Sequence, residues 1–137
     1  METNRVLTDN ELIAQFMGWK NRIFQVYADK PEEPIWFRPG EDFPSYYKTV
    51  GELEFENSWD WLMPVLEKIE TLGYDTGVCG IVINGEKLTE VLISPQIKNN
   101  KIEVHFRTDE DKLLCTFKAI VYFIKCYSET QERGEKV

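Results

Sequence analysis

The residues best suited to catalysis or metal binding are few and widely spaced in this chain. His105 is the single histidine, and the three cysteines, Cys79, Cys115 and Cys126, include no Cys-x-x-Cys pair. Nucleophilic catalysis requires a base beside the serine or cysteine, and zinc sites use Cys, His and carboxylate ligands at short spacings. A pair of His105 with Cys79 or Cys115 stays open. The pattern favours an exposed His105 and predicts no catalytic residue, metal or cofactor.

Three acids alternate with apolar residues in the sequence Glu52-Leu53-Glu54-Phe55-Glu56. In an extended chain, side chains two positions apart point to the same side, so the three carboxylates would share one face. Such a face could bind a divalent cation through oxygen ligands. A solvated strand face is the favoured interpretation, because exposed acids mainly serve solubility.

Aromatic side chains provide the other candidate site, because they are concentrated ahead of and within residues 58–73. They are Trp19, Trp36, Phe37, Phe43, Tyr46, Tyr47, Trp59 and Trp61. Packing in the core and loops is the favoured interpretation. The alternative is a pocket in which aromatic faces stack a base or another flat ligand beside cationic side chains. We assign this ligand site to Trp36, Arg38, Tyr47, Lys48, Asp60 and Trp61.

The charge of the chain narrows the classes of partner. Its 137 residues amount to one domain, and the net charge of −8 argues against direct binding of nucleic acid. Residues 29–60 hold nine acids and three bases. This favours a solvated surface, and the sharper alternative is a surface that docks a basic partner or mimics DNA.

Cellular location is inferred from the first residues, the apolar runs and the cysteines. The start of the chain has no basic segment followed by an apolar stretch, as a secretory signal would. The longest apolar run, residues 119–124, is too short to span a bilayer. Three widely spaced cysteines favour a reducing compartment. We therefore expect a cytoplasmic protein that does not associate with membranes.

Two helices are predicted in the first half of the chain. Thr8 and Glu11 match a capping box, and Gly18 is placed to end the first helix in the left-handed conformation. A second helix over residues 58–73 contains Pro64, which either kinks it or separates its first turn. Because residues two apart on a helix face different ways, Trp59 is assigned to the core and Trp61 to the boundary or the site.

The second half predicts a β meander followed by a third helix. Residues 78–83, 88–93 and 101–106 have strand patterns, and Asn84-Gly85 is a strong hairpin signal. The last helix is predicted over residues 109–128. It is apolar around most of its circumference, which favours burial against the sheet on one side and against a second subunit on the other.

These elements predict an α+β fold in a single domain over residues 1–137. A small antiparallel sheet of about three strands packs against three helices in the order α-(β)-α-β-β-β-α. Residues 19–56 are loop-rich with at least one short strand, because four prolines interrupt them. Residues 1–6 and 131–137 are expected to be frayed.

The predicted helices carry a resemblance to a known group. Residues 11–19, the stretch SWDWLMPVLEKIE at 58–70 and KAIVYFIK at 118–125 resemble small uncharacterised proteins encoded in phages and prophages. Their helices read SWDWLMPV-EKIE and KAVV-FIKWY, and this chain has Cys126 where that pattern has Trp. The resemblance implies an accessory protein acting in a bacterial cytoplasm, and it transfers no catalytic residue.

Three functional hypotheses follow. The first is a non-catalytic accessory protein that binds a host protein or sequesters a small, nucleotide-like ligand, as a homodimer through residues 109–128. The second is an enzyme acting on a nucleotide-like substrate, with Asp60 or Glu56 as the base. The third is an acidic DNA mimic built on residues 29–60.

Overall fold

The structure, a computed structural model, describes residues 6–25, 27–39, 47–98 and 100–132. Its fold is α+β, as predicted, with three α-helices and two three-stranded antiparallel sheets. The chain forms two compact units, residues 1–54 and residues 55–137. The expected meander is therefore one of two sheets, since the proline-interrupted segment also forms strands.

The first unit contains α1 (Asp9–Phe16) and the strands β1 (Lys20–Phe24), β2 (Glu33–Phe37) and β3 (Lys48–Thr49). A short 3₁₀ helix, Val50–Glu52, follows β3, and β2 is the middle strand of the sheet. The prediction of at least one strand within residues 19–56 is confirmed. The prolines do not prevent pairing, since Pro34 lies near the start of β2, where it is tolerated.

Both predicted signals at the ends of α1 are confirmed. The Glu11 amide donates to Oγ1 of Thr8, and the Thr8 amide donates to a Glu11 carboxylate oxygen, which completes the capping box. At the other end the amides of Gly18 and Trp19 donate to the carbonyls of Gln15 and Ala14. This is the hydrogen-bond pattern of a helix that ends on a left-handed residue.

The second unit contains α2 (Trp59–Thr71), β4 (Tyr74–Ile83), β5 (Glu86–Pro95), β6 (Val104–Thr108) and α3 (Lys112–Glu132). The three strands form the predicted antiparallel meander, with β5 in the middle. Asn84 and Gly85 both have positive φ, 51° and 82°, as the predicted two-residue turn requires. This turn fixes the register of β4 against β5.

One face of the meander is covered by helices. α3 packs on β5 and β6, and α2 packs on β4. Tyr74 meets Phe123 edge to face with ring centroids 4.9 Å apart, and Phe106 meets Tyr122 at 5.8 Å. Strand positions alternate in burial as expected, since Val91 and Ile93 are fully buried.

Two expectations about the helices are corrected. α3 begins at Lys112 and not at 109, because the Asp111 carboxylate accepts the Leu114 amide over 2.8 Å and so caps the helix there. Trp59 is not in the core: it is 37% exposed, at the first position of α2. Pro64 lies inside a continuous α2, so its first turn is not a separate piece.

Some predictions concern residues outside the described ranges. These are the frayed ends at 1–5 and 133–137, the aromatic residues Phe43 and Tyr46, and the acids Glu41 and Asp42. Among the helices of the described ranges, none has both the length and the apolar character needed to cross a bilayer.

Candidate functional site

A cavity of about 430 Å³ lies in the second unit, where the β4–β5 hairpin meets the start of α3. Residues 80–82 of β4 and residues 87–89 of β5 form its sheet side. Asp109 and Glu110, in the connection between β6 and α3, and Lys112, the first residue of α3, close the other side. Its size is that of a small-molecule site, for which about 300–1,000 Å³ is typical.

The hairpin register brings the sheet side of the cavity together. Val82 is opposite Lys87, and Gly80 is opposite Thr89. Residues directly opposite in an antiparallel pair share one face, so all four are on the face that α3 covers further along the sheet. α3 starts only at Lys112, so this end of the face is left open as the cavity.

Gly80 makes room for a lysine. A Cβ added at Gly80 would lie 3.6 Å from Cε and 3.9 Å from Nζ of Lys112. The aliphatic stem of Lys112 therefore runs over the glycine, which places its ammonium group beside the sheet. With Lys87 across the hairpin, two cationic side chains line an opening whose sheet side also carries the Val82 side chain.

Two acids, Asp109 and Glu110, also line the cavity, and Glu110 is paired with a lysine outside it. Glu110 Oε2 accepts a hydrogen bond from Nζ of Lys118 over 2.5 Å. This bond raises the pKa of the Lys118 ammonium above its ordinary value. Because Glu110 is engaged by Lys118, the cavity retains a cationic character from Lys87 and Lys112, with Asp109 as the other acid.

A second polar cluster lies on the opposite, uncovered face of the same sheet. Glu90 Oε2 is 2.6 Å from Nε2 of His105 and 3.0 Å from an Arg107 guanidinium nitrogen. Hydrogen bonds from His105 and then Arg107 hold the pKa of the Glu90 carboxyl below its ordinary value. The cluster is solvent-accessible, with the His105 side chain half exposed.

The open question of a Cys–His pair is answered by this cluster. Cys79 is on β4 and His105 on β6, with Glu90 of the middle strand between them. Two strand spacings separate the backbones by roughly 9–10 Å. Cys79 Sγ lies 3.9 Å from a Glu90 oxygen, and Cys115 is fully buried in α3. His105 was correctly predicted as exposed, and its partner is a carboxylate.

Metal binding has no candidate in the described residues. No group of three or more His, Cys, Asp or Glu side chains in them is arranged to hold a metal ion. In the segment 52–56 the acids are exposed while Leu53 and Phe55 are buried, as the alternation predicts. The segment is not a strand, however, and Glu52 accepts hydrogen bonds from the amide and hydroxyl of Thr49.

In the first unit, the residues assigned to the aromatic ligand site lie on or beside β2 and β3. Trp36 is fully buried, donates its indole N–H to Glu11 and pairs in register with Lys48. The Arg38 guanidinium lies 5.5 Å from the ring centroid of Trp19. Tyr47 is half-buried and immediately precedes β3.

In the second unit, Asp60 and Trp61 lie in the first turn of α2. Asp60 is exposed. Trp61 is half-buried and meets Phe55 edge to face at 5.1 Å. None of the six residues assigned from the sequence lines the described cavity.

The cavity residues carry little sequence signal. In the sequence, Lys87 and Lys112 have the pattern of ordinary solvated lysines. They line one cavity because α3 begins at Lys112, next to the hairpin. The one local clue is Asn84-Gly85, which fixes which residues of β4 and β5 are opposite each other.

Comparisons of the chain with models of protein families, with curated proteins and with solved structures found no match.

Proposed function

We propose that this protein is a non-catalytic, phage-type accessory protein that sequesters a small anionic ligand in the cavity beside α3. The observation that supports the proposal is the pairing of Lys87 and Lys112 in one opening of about 430 Å³. Two ammonium groups can each donate hydrogen bonds to a carboxylate or phosphate. The resemblance to phage and prophage proteins supports the accessory role and action in a bacterial cytoplasm.

The lining of the cavity indicates how the ligand would be held. Val82 and the aliphatic stems of the lysines offer an apolar surface, and the ammonium groups offer charge, whereas the side chains of Ile81 and Leu88 belong to the opposite face of the sheet. None of the described lining residues is aromatic, so the cavity itself provides no ring on which a base would stack. Recognition would therefore depend on the anionic group and an aliphatic portion of the ligand.

The proposal is tested by thermal unfolding in the presence of two probes, inorganic phosphate and hexanoate. A ligand that binds only the folded state raises the unfolding temperature as its concentration increases. We expect hexanoate, which has both an anionic group and an aliphatic chain, to raise the unfolding temperature of the wild-type protein more than phosphate does.

Matched variants separate cavity binding from general effects of the added salt. In the double variant Lys87→Gln with Lys112→Gln, both shifts should disappear. Lys98→Gln removes an exposed lysine beyond the far end of β5 and should leave both shifts intact. Equal shifts in the wild-type protein and in the double variant, or no shift with either probe, would contradict the assignment of the site.

The accessory protein is also expected to form a homodimer through residues 109–128. We keep this homodimer in the proposal. In α3, which would form the interface, few apolar side chains are exposed. Cys115 and Ala119 of α3 are fully buried, and among its large apolar side chains in the described range Tyr122, at 49% exposure, is the prominent exposed one. A host protein as the partner stays a prediction.

Two alternatives also stay predictions. An enzyme acting on a nucleotide-like substrate would use Asp60 or Glu56, and both are exposed. A screen of nucleotides and phosphoesters, with and without Mg²⁺, tests it through the variants Asp60→Asn and Glu56→Gln. The DNA-mimic hypothesis requires that neutralising the acids of residues 52–56 abolishes binding of a basic partner without unfolding the protein.

A further inference from the structure

The charged residues that line the cavity cancel one another in number. They are the lysines Lys87 and Lys112 and the acids Asp109 and Glu110. The neighbouring acid Glu86 is not among them, because it pairs with Ile83 and therefore belongs to the opposite face of the sheet. If both lining acids were free, an anion entering the cavity would meet as much negative as positive charge. A preference for anions must therefore come from a group outside the lining.

Lys118 neutralises one of the two acids from outside the cavity. Its Nζ donates to Oε2 of Glu110 over 2.5 Å, and the residue is exposed on α3, beyond those that line the cavity. Within the described part of the chain Lys112 has no carboxylate at ion-pair distance, and its ammonium group lies against Gly80 instead. The excess positive charge of the cavity therefore depends on the pairing of Glu110 with Lys118 and not with Lys112.

Glu110 is placed so that it could pair with either lysine. Its amide donates to Oγ1 of Thr108 over 3.2 Å, which holds its backbone, and its side chain is partly exposed. Lys112 is two positions further along the chain and lines the same cavity. Without Lys118, the Glu110 carboxylate would turn to the Lys112 ammonium, since the attraction of opposite charges rises as they approach. A carboxylate held there would compete with a ligand for the same lysine.

We infer that Lys118 is a positioning residue of the anion site, because it holds Glu110 off Lys112 and so leaves Lys112 available to the ligand. Glu110 is then an internal competitor of the ligand, and Lys118 determines whether it competes. Lys118 has this role only if the cavity binds an anion, so the inference rests on the proposed function and deepens it.

The role of Lys118 is tested by calorimetric titration of the full chain with hexanoate in four forms: wild type, Lys118→Gln, Glu110→Gln and the double variant. Lys118→Gln should weaken binding about threefold or more, an effect of the size that an exposed ion pair supports. The double variant should bind as tightly as the wild type, because it lacks both the competitor and its partner. An unchanged affinity in Lys118→Gln, or an equal loss whether Glu110 is present or not, would overturn the inference.

Two control variants test whether any positive charge on α3 has the same effect. Lys118→Arg keeps a cationic donor for Glu110 and should retain the wild-type affinity for hexanoate. Lys125→Gln removes another exposed lysine of α3 and should also retain it. A loss in either variant as large as that in Lys118→Gln would overturn the inference.

The position of Glu110 is tested without a ligand by a crystal structure of the Lys118→Gln variant. A carboxylate oxygen of Glu110 should lie within about 4 Å of Nζ of Lys112, the distance of an ion pair. A Glu110 side chain that stays away from Lys112 would overturn the inference. Failure of the wild-type protein to bind hexanoate would instead contradict the proposed function, so the two failures are distinguishable.

Discussion

Trp36 donates its indole N–H to Oε2 of Glu11 over 2.9 Å, and both side chains are fully buried. The same carboxylate accepts the Thr8 amide through its other oxygen. Glu11 thus joins the start of α1 to the middle strand of the first sheet. A charged acceptor without partners would be costly at this depth, and here both oxygens are satisfied.

The variant Glu11→Ala should therefore lower the free energy of unfolding by about 3 kcal/mol. It removes a cap and leaves the Trp36 N–H without this acceptor in the core. Chemical denaturation followed by tryptophan fluorescence measures the change. Glu52→Ala is the matched control, because Glu52 makes a similar capping arrangement with Thr49 at an exposed position. A loss equal to that of the control would show that the bond to Trp36 contributes nothing.

Gly73 ends α2 in a conformation that only glycine adopts readily. Its φ is +98°, and an added Cβ would collide with the Ile97 side chain and lie 2.8 Å from Nδ2 of Asn100. Asn100 in turn donates to the carbonyls of Leu72 and Gly73. The glycine, the turn after α2 and the connection before β6 are thus tied together.

We predict that Gly73→Ala destabilises the protein by about 2 kcal/mol or more, since the left-handed conformation alone costs an alanine roughly 1–2 kcal/mol. Gly77→Ala is the control, because its φ is not positive and an added Cβ would meet no atom within 4 Å. Thermal and urea unfolding of the two variants give the comparison. Equal stability of both variants would contradict this account of the turn.

The Glu90 cluster predicts a dependence of stability on pH. The pKa of Glu90 is lowered in the folded state from its ordinary value of 4.5 by hydrogen bonds from His105 and Arg107. A lowered pKa contributes stability that is fully present above the ordinary pKa. The contribution is lost as the pH falls through the lowered value.

The variant Glu90→Gln should accordingly be less stable than the wild-type protein near neutral pH, and the difference should shrink as the pH falls below about 4. Urea unfolding at a series of pH values measures it. His105→Gln is the companion variant, because it removes the first of the two partners and should reproduce part of the effect. A difference between wild type and Glu90→Gln that stays constant with pH would contradict the assignment.

Local signals in the sequence predicted most of the elements correctly. The Thr8–Glu11 capping box, the Asn84-Gly85 turn and the glycines that end α1 and α2 each act over a few residues, so a short segment determines the result. The predicted start of α3 was wrong by three residues. Both Asp109 and Asp111 could cap the helix, and the choice between them depends on where β6 ends.

The candidate site was much less accessible to sequence reasoning. The aromatic residues proposed for it include Trp36, which is fully buried and donates its indole N–H to Glu11, 25 positions away in the chain. The burial of Trp36 agrees with the core packing favoured for the aromatic residues, whereas the exposure of Trp59 contradicts its assignment to the core. Lys87 and Lys112 come together only through the register of the hairpin and the position of α3. Neither relationship has a local signature.

The most direct test of the central claim is a titration of isotope-labelled protein with hexanoate, followed by the backbone amide resonances. The cavity assignment predicts saturable shifts centred on residues 80–82, 87–89 and 110–112, and their loss in the double variant Lys87→Gln with Lys112→Gln. Shifts centred on Trp36, Arg38, Tyr47 and Lys48 would instead favour the aromatic site. Shifts that are absent, or that persist in the double variant, would contradict the claim that this cavity binds an anionic ligand.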